Sequence, residues 1–122
     1  MEIIEAPAFT RYLHDYLNDE QYRALQTEPA SHPEAGDVMP GTGGFRKIRC
    51  ADPARGKGRR GGLRVIYYYF EVDQQIWMMT IYGKNEAADL SAGEKRALKT
   101  AIESETRQRA ERHLARQRSQ RR

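Results

Sequence analysis

At 122 residues and 14.1 kDa the chain has the size of one domain, which argues against any mechanism that needs two lobes. Its composition is polar, with 31% charged residues and a mean hydropathy of −0.88, yet 9% aromatic residues supply a modest core, and full disorder is excluded. No apolar run reaches the ~18 residues of a membrane span, and the opening Met1 to Glu5 lacks the basic and apolar regions of a signal peptide, so a cytoplasmic protein with no membrane partner is expected. One cysteine, Cys50, and three histidines, His14, His32 and His113, make neither a disulfide nor a metal-ligand spacing, so no cofactor is expected.

In chain order, Glu2 to Ala6 is short and β-branched and stops at Pro7, the pattern of an edge strand. Phe9, Tyr12, Leu13, Tyr16 and Leu17 recur at helical spacing and predict a helix from Thr10. Asn18 or Asp19 caps a second helix with Tyr22, Leu25 and Ala24 turned inward, closed by Pro29 and Pro33. Eight of the ten glycines fall between Gly36 and Gly62, which predicts turns around one short strand, Phe45 to Cys50, and a basic loop from Ala51 to Gly62.

Leu63 to Glu71 and Ile76 to Lys84 are rich in β-branched and aromatic residues and flank a polar turn, Asp73 to Gln75, so they predict an antiparallel hairpin. Ser91 and Glu94 have the spacing of a capping box, and Leu98, Ala101 and Ile102 give the last helix an inward stripe. Beyond residue 103 the apolar spacing nearly vanishes, with Leu114 the one large apolar residue, so the helix is expected to run into solvent and fray. The predicted fold class is α+β: an N-terminal strand, a helical hairpin, an antiparallel sheet and a C-terminal helix. Residues 1–103 form the domain, and 104–122 a basic, arginine-rich extension or tail.

The formal charge of +4 is segregated. Residues 1–35 carry −5, 36–70 carry +6, 71–103 carry −2 and 104–122 carry +5. Two cationic blocks create a local field whose simplest partner is a polyanion. Nucleic acid fits better than an anionic membrane, because the tail has no greasy face.

Alternation places Leu63, Val65, Tyr67 and Tyr69 on one face of their strand and Arg64, Ile66, Tyr68 and Phe70 on the other. In its partner Ile76, Met78, Thr80, Tyr82 and Lys84 share a face, opposite Trp77, Met79 and Ile81. Lys47 and Arg49 share a face of the earlier strand, with Arg46 opposite, so the sheet can gather several cations at one end. Each alone reads as a solvated strand-end residue. Converging near Tyr68 and Tyr82, they form a phosphate site with stacking surfaces, which the loop cations Lys57, Arg59 and Arg60 extend. Gly41 to Gly44 and Gly56 to Gly58 lack the following Gly-Lys-Ser/Thr and helix of a phosphate-binding loop and read as turns. Cys50 reads as a packing residue, and His14 and His32 as surface groups.

Three ordered motifs, Gly41-Thr-Gly-Gly-Phe-Arg-Lys-Ile-Arg49, Gly62-Leu-Arg-Val-Ile-Tyr-Tyr-Tyr69 and Thr80-Ile-Tyr-Gly-Lys-Asn-Glu86 with Asp89-Leu90, resemble the RelE/ParE superfamily, and within it the HigB-type toxins of bacterial type II toxin-antitoxin systems. The resemblance runs from about Ile3 to Ile102. It implies a microbial RNase-like fold, ribosome-dependent mRNA cleavage that inhibits translation, and neutralisation by a HigA-like helix-turn-helix antitoxin. Carried over by position, the family's catalytic cations fall on Lys47, Arg49, Arg64 and Lys84. RNA contacts are expected from Arg46, Lys57, Arg59, Arg60, Tyr68 and Tyr82. The sequence departs from the RelE pattern at Asn85, where an arginine often stands, and at Ser91, where a tyrosine leads into the last helix.

The implied chemistry is metal-free transesterification by the 2′-hydroxyl, which needs a base, an acid and cover for developing negative charge. With no site histidine a lysine is the available base, its charged form disfavoured by neighbouring cations, and Arg64, which cannot lose its proton, covers charge. Which lysine is base and which acid stays open. The other readings are a ParE-like inhibitor of DNA gyrase, against which the converging cations argue, and a non-catalytic RNA-binding module. A neighbouring short reading frame for a helix-turn-helix protein separates either toxin from the module.

Overall fold

A computed structural model describes residues 1–56, 58, 62–83 and 90–121. The chain divides into two compact units, Met1–Met39 with Phe45–Asp89, and Pro40–Gly44 with Leu90–Arg122.

In the first unit β1 (Glu2–Glu5) leads into α1 (Pro7–Leu13) and α2 (Asp19–Ser31), followed by β2 (Asp37–Val38), β3 (Arg46–Cys50), β4 (Leu63–Phe70) and β5 (Gln75–Gly83). The five strands form one sheet in the order β1-β5-β4-β3-β2. All pairings are antiparallel except β1 with β5, which is parallel, so the sheet is mixed at one edge. β2 was not legible in the sequence, since two residues are too short to show a period.

α1 starts earlier than the apolar stripe predicts and ends before it does. Pro7 occupies the first turn, where its missing N–H has no intrahelical partner to lose, and the helix stops at Leu13. A turn follows, in which Tyr16 and Leu17 both donate to the Leu13 carbonyl, at 3.1 and 3.0 Å. Leu17 stays buried although it has left the helix. α2 opens on a reciprocal capping box: the Gln21 amide donates to Asn18 Oδ1 at 2.8 Å, and the Asn18 amide to Gln21 Oε1 at 2.9 Å. The helix continues through Pro29, where the sequence pattern predicts its end. Pro29 gives up the one bond that an amide there would make to the Leu25 carbonyl, and its ring is buried. Ala24, predicted to face inward, is exposed.

The largest apolar cluster lies on one face of the sheet, and Ile66 and Phe70 of β4 are buried on the other. Leu63, Val65 and Tyr67 of β4, Ile76, Met78 and Ile81 of β5 and Ile48 of β3 pack with Phe9, Leu13 and Leu17. Tyr67 anchors the following loop: its hydroxyl donates to the Pro33 carbonyl at 2.8 Å and accepts from the Gly36 amide at 3.0 Å. A Cβ on Gly36 would lie 2.9 Å from that hydroxyl and from Ile48 Cγ2, so only glycine allows this approach. Burial pushes the Tyr67 phenol above its ordinary value.

The second unit holds the glycine turn and α3 (Ala92–Gln120). Ser91 and Glu94 form the predicted capping box, which holds the Glu94 carboxyl below its ordinary value. Gly43, with φ of 78°, lies so close to the helix that a Cβ there would meet Ile102 Cγ2 at 2.9 Å. Leu98 and Ile102 are buried as the stripe predicts. The expected fraying past residue 103 does not occur, and the helix runs on to Gln120. No helix among the described residues is long and apolar enough to cross a membrane.

Candidate functional site

The second face of the sheet gathers the cations. Directly opposed residues on neighbouring strands point to the same side, with Cβ atoms about 4.5–5.5 Å apart in an antiparallel pair. Arg49 opposes Arg64, and Arg64 opposes Tyr82, so these three form one row across β3, β4 and β5. The next row on that face is Lys47, Ile66 and Thr80. Lys47 and Arg49, two residues apart, therefore share a side with Arg64, as the alternation predicts.

Tyr82 reaches this face through an irregularity that strict alternation does not foresee. The register shifts between Ile66 and Tyr67, leaving Met79 without a partner on β4 while Met78 opposes Tyr67 and Thr80 opposes Ile66. A bulge of this kind re-aims the side chains on one side of it. The predicted grouping of Ile76 and Met78 with Thr80 and Tyr82 is thus corrected: Ile76 and Met78 enter the core, whereas Thr80 and Tyr82 join Arg64. Ile81 correspondingly joins the core instead of sharing a side with Trp77. Sequence reasoning grouped Thr80 with Tyr82 and Lys84 without naming it a site residue, and nothing in a period-two pattern marks Met79 as the extra residue.

The cations differ in access. Arg49 is exposed, Lys47 is half-buried, and Arg64 is only 5% exposed, its Nη1 donating to the Leu63 carbonyl at 3.4 Å. Tyr82 is 8% exposed, so its ring is no open platform for a base. Tyr68, the other expected stacking residue, lies four residues along β4 from Arg64, about 13 Å at the rise of a strand. There it belongs to an aromatic group, with ring centroids 5.4 Å from Phe45 and 4.7 Å from Phe70, while Trp77 stands 6.3 Å from Phe45.

Arg46 opposes Tyr67 and so lies on the core side. Its Nη1 donates to the carbonyls of Glu34 and Gly36, at 3.0 and 2.9 Å, which ties the loop to β3. Of the remaining site candidates, Lys84, Lys57, Arg59 and Arg60 lie outside the described residues. Cys50 is half-buried and packs at the margin of the core. It also lines a cleft of about 320 Å³ with Leu17, Leu25 and Pro53, in which no cation stands among the described residues. His14 and His32 are exposed.

Within one row spacing, then, the face holds an exposed guanidinium, an enclosed one and a lysine. Like charges directly opposed repel, and on this face Arg49 stands directly opposite Arg64. No family model matches the chain. Among solved structures, a chain of the intact E. coli RelBE toxin-antitoxin complex is similar, with a TM-score of 0.50 and 14% identity, covering 66% of this chain and 92% of that one. The fold is RelE-like. The isolated E. coli RelE toxin in its P21 crystal form is also similar, at 18% identity over 82% of this chain and 97% of that one, with a TM-score of 0.48. In this RelE-like sheet Lys47, Arg49 and Arg64 sit on the face away from α1 and its apolar cluster, and Arg46 on the other.

Proposed function

We propose that the chain is the toxin of a type II toxin-antitoxin system, of the HigB-type branch of the RelE-like proteins, and cleaves mRNA on the ribosome in the cytoplasm. The observation that carries this reading is the placement of Arg49, Arg64 and Lys47 on one face of the sheet. The RelE-like fold supports it, and the solved RelBE complex is named as a toxin with its antitoxin. For this chain the corresponding partner is a HigA-like helix-turn-helix antitoxin.

The reaction is attack of a ribose 2′-hydroxyl on the adjacent phosphorus. The 2′-oxygen bond to phosphorus forms, the bond to the 5′-oxygen breaks, and the products are a 2′,3′-cyclic phosphate and a 5′-hydroxyl. The 2′-hydroxyl proton goes to a base and the leaving oxygen takes one from an acid. Lys47 is one of these two groups and Lys84 the other. Exposed Arg49 meets the phosphate, because a guanidinium pairs two oxygens of a phosphate in a fixed fork. Arg64 supplies fixed positive charge behind it, where poor solvation strengthens its field.

Inducible expression with mapping of mRNA 5′ ends tests the reading. New 5′-hydroxyl ends within translated regions, lost when the antitoxin is co-expressed, are expected. Growth arrest without new mRNA ends would overturn the nuclease.

A further inference from the structure

The extension of α3 past Ile102 buries no apolar stripe, yet it is helical to Gln120. At 100° per residue its arginines fall on two opposite flanks. One flank carries Glu105, Arg109, Arg112 and Arg116, spaced four, three and four apart. The other carries Arg107, Glu111, Leu114, Arg118 and Arg121, spaced four, three, four and three apart. Each flank has three arginines against one glutamate. On the first, Glu105 Oε1 accepts from Arg109 Nε at 2.9 Å and lies 3.4 Å from Arg112 Nη2, so two of the arginines are held along the helix.

Arg107, Arg112, Arg116, Arg118 and Arg121 are all exposed, and so is Leu114. From residue 105 to 121 the two stripes run about 24 Å.

A helix that lies on a membrane has cations on one side and apolar residues on the other. A helix on a flat acidic protein surface needs cations on one side only. Cations on both flanks match an occupant with negative charge on both sides, which is a groove between two phosphate walls. With side chains a helix is about 10–12 Å across, whereas the major groove of uninterrupted A-form RNA is deep and narrow. We infer that the α3 extension is an RNA-docking helix that enters the major groove of an RNA stem widened by an internal loop, with Arg107 and Arg118 on one wall and Arg112 and Arg116 on the other. The choice of RNA over DNA rests on the proposed function; the two-walled geometry does not.

The test uses the full chain and fluorescence anisotropy with four probes over a salt series: an RNA hairpin with an internal loop, the same stem fully paired, the matching DNA duplex, and anionic lipid vesicles. Arg107→Gln/Arg118→Gln and Arg112→Gln/Arg116→Gln each remove two of one flank's three arginines while keeping helix propensity, and far-UV circular dichroism checks that α3 persists. Each pair is expected to weaken binding of the looped hairpin roughly tenfold or more and to lower the slope of log affinity against log salt by about 2, one phosphate contact per arginine. The four-fold variant should lose more than either pair. An effect confined to one flank would overturn the groove placement, as would vesicles, the DNA duplex or the paired stem binding as tightly as the looped hairpin.

Ribosomal mRNA cleavage is scored separately on the wild-type chain. Its absence beside two-flank hairpin binding would remove the proposed function alone. Cleavage beside hairpin binding that no arginine pair alters would remove this inference alone.

Discussion

The two faces of one sheet are made by alternate residues of the same strands, yet they have opposite characters. On the α1 side Ile48, Val65 and Ile81 close one row on apolar contacts, while in the next the Arg46 guanidinium donates to the Glu34 and Gly36 carbonyls and the Tyr67 hydroxyl is held by a donor and an acceptor. On the other side Arg49 opposes Arg64, with Lys47 one row away. The first face is built for stability. The second sets two guanidiniums directly opposite one another beside the buried Ile66, and the difference teaches where to look for function: in the rows where cations, not apolar side chains, face each other across strands.

Breaking the apolar face should give the largest effect on the fold. Phe9 is fully buried against it, and Phe9→Ala should cost about 3–5 kcal/mol, read as a fall in the denaturant midpoint. Breaking the cationic face should instead act on cleavage. Arg64→Ala should lower the single-turnover rate by ~10²–10³, the usual loss for one preorganised donor. Because Arg64 is enclosed, the same variant also loses stability, and the rate is to be measured well below its melting temperature. Lys47→Arg keeps the charge but removes an accessible proton, so turnover should fall far more than RNA affinity. Equal losses of both would demote Lys47 to an electrostatic role.

A smaller effect sharpens the comparison. Tyr67→Phe strands the Gly36 amide and the Pro33 carbonyl and should cost about 1–3 kcal/mol with cleavage unchanged. Burial raises the phenols of both Tyr67 and Tyr22, the latter also bonded to Glu5 at 3.0 Å. A raised phenol keeps its proton in the folded chain after the unfolded chain has lost it. This stability is therefore complete below pH ~10, the unfolded value, and is lost as pH rises through the raised folded values. Thermal melts from pH 8 to 11 should show that loss, and Tyr67→Phe should make it shallower.

Much of this contrast was legible in the sequence. The two-residue spacing of Lys47 and Arg49 puts them on one face of any strand, and the β-branched and aromatic run from Leu63 to Phe70 could only be a strand. Both capping boxes mark their helix starts, although only that of Ser91 was read as a box. Three features were not legible, each for a physical reason. The bulge at Met79 depends on tertiary packing, because an extra residue leaves no mark on composition, and it decides which side Tyr82 takes. Pro29 inside α2 gives up one backbone bond and buries its ring, an exchange that the rule ending helices at proline does not foresee. The persistence of α3 to Gln120 was hidden because the apolar stripe ends at Ile102; past it the helix is supported by pairs such as Glu105 with Arg109, four residues apart, in place of a buried face.

Arg49 offers the most direct test, since it is exposed and its loss leaves no cavity. The cleavage rate of ribosome-bound mRNA should be measured for wild type and Arg49→Ala side by side, with melting curves of both. The account predicts a rate lower by about 10² or more at an unchanged melting temperature, because an exposed side chain away from the buried cluster is removed. Full cleavage by Arg49→Ala would contradict the assignment of this face to the chemistry.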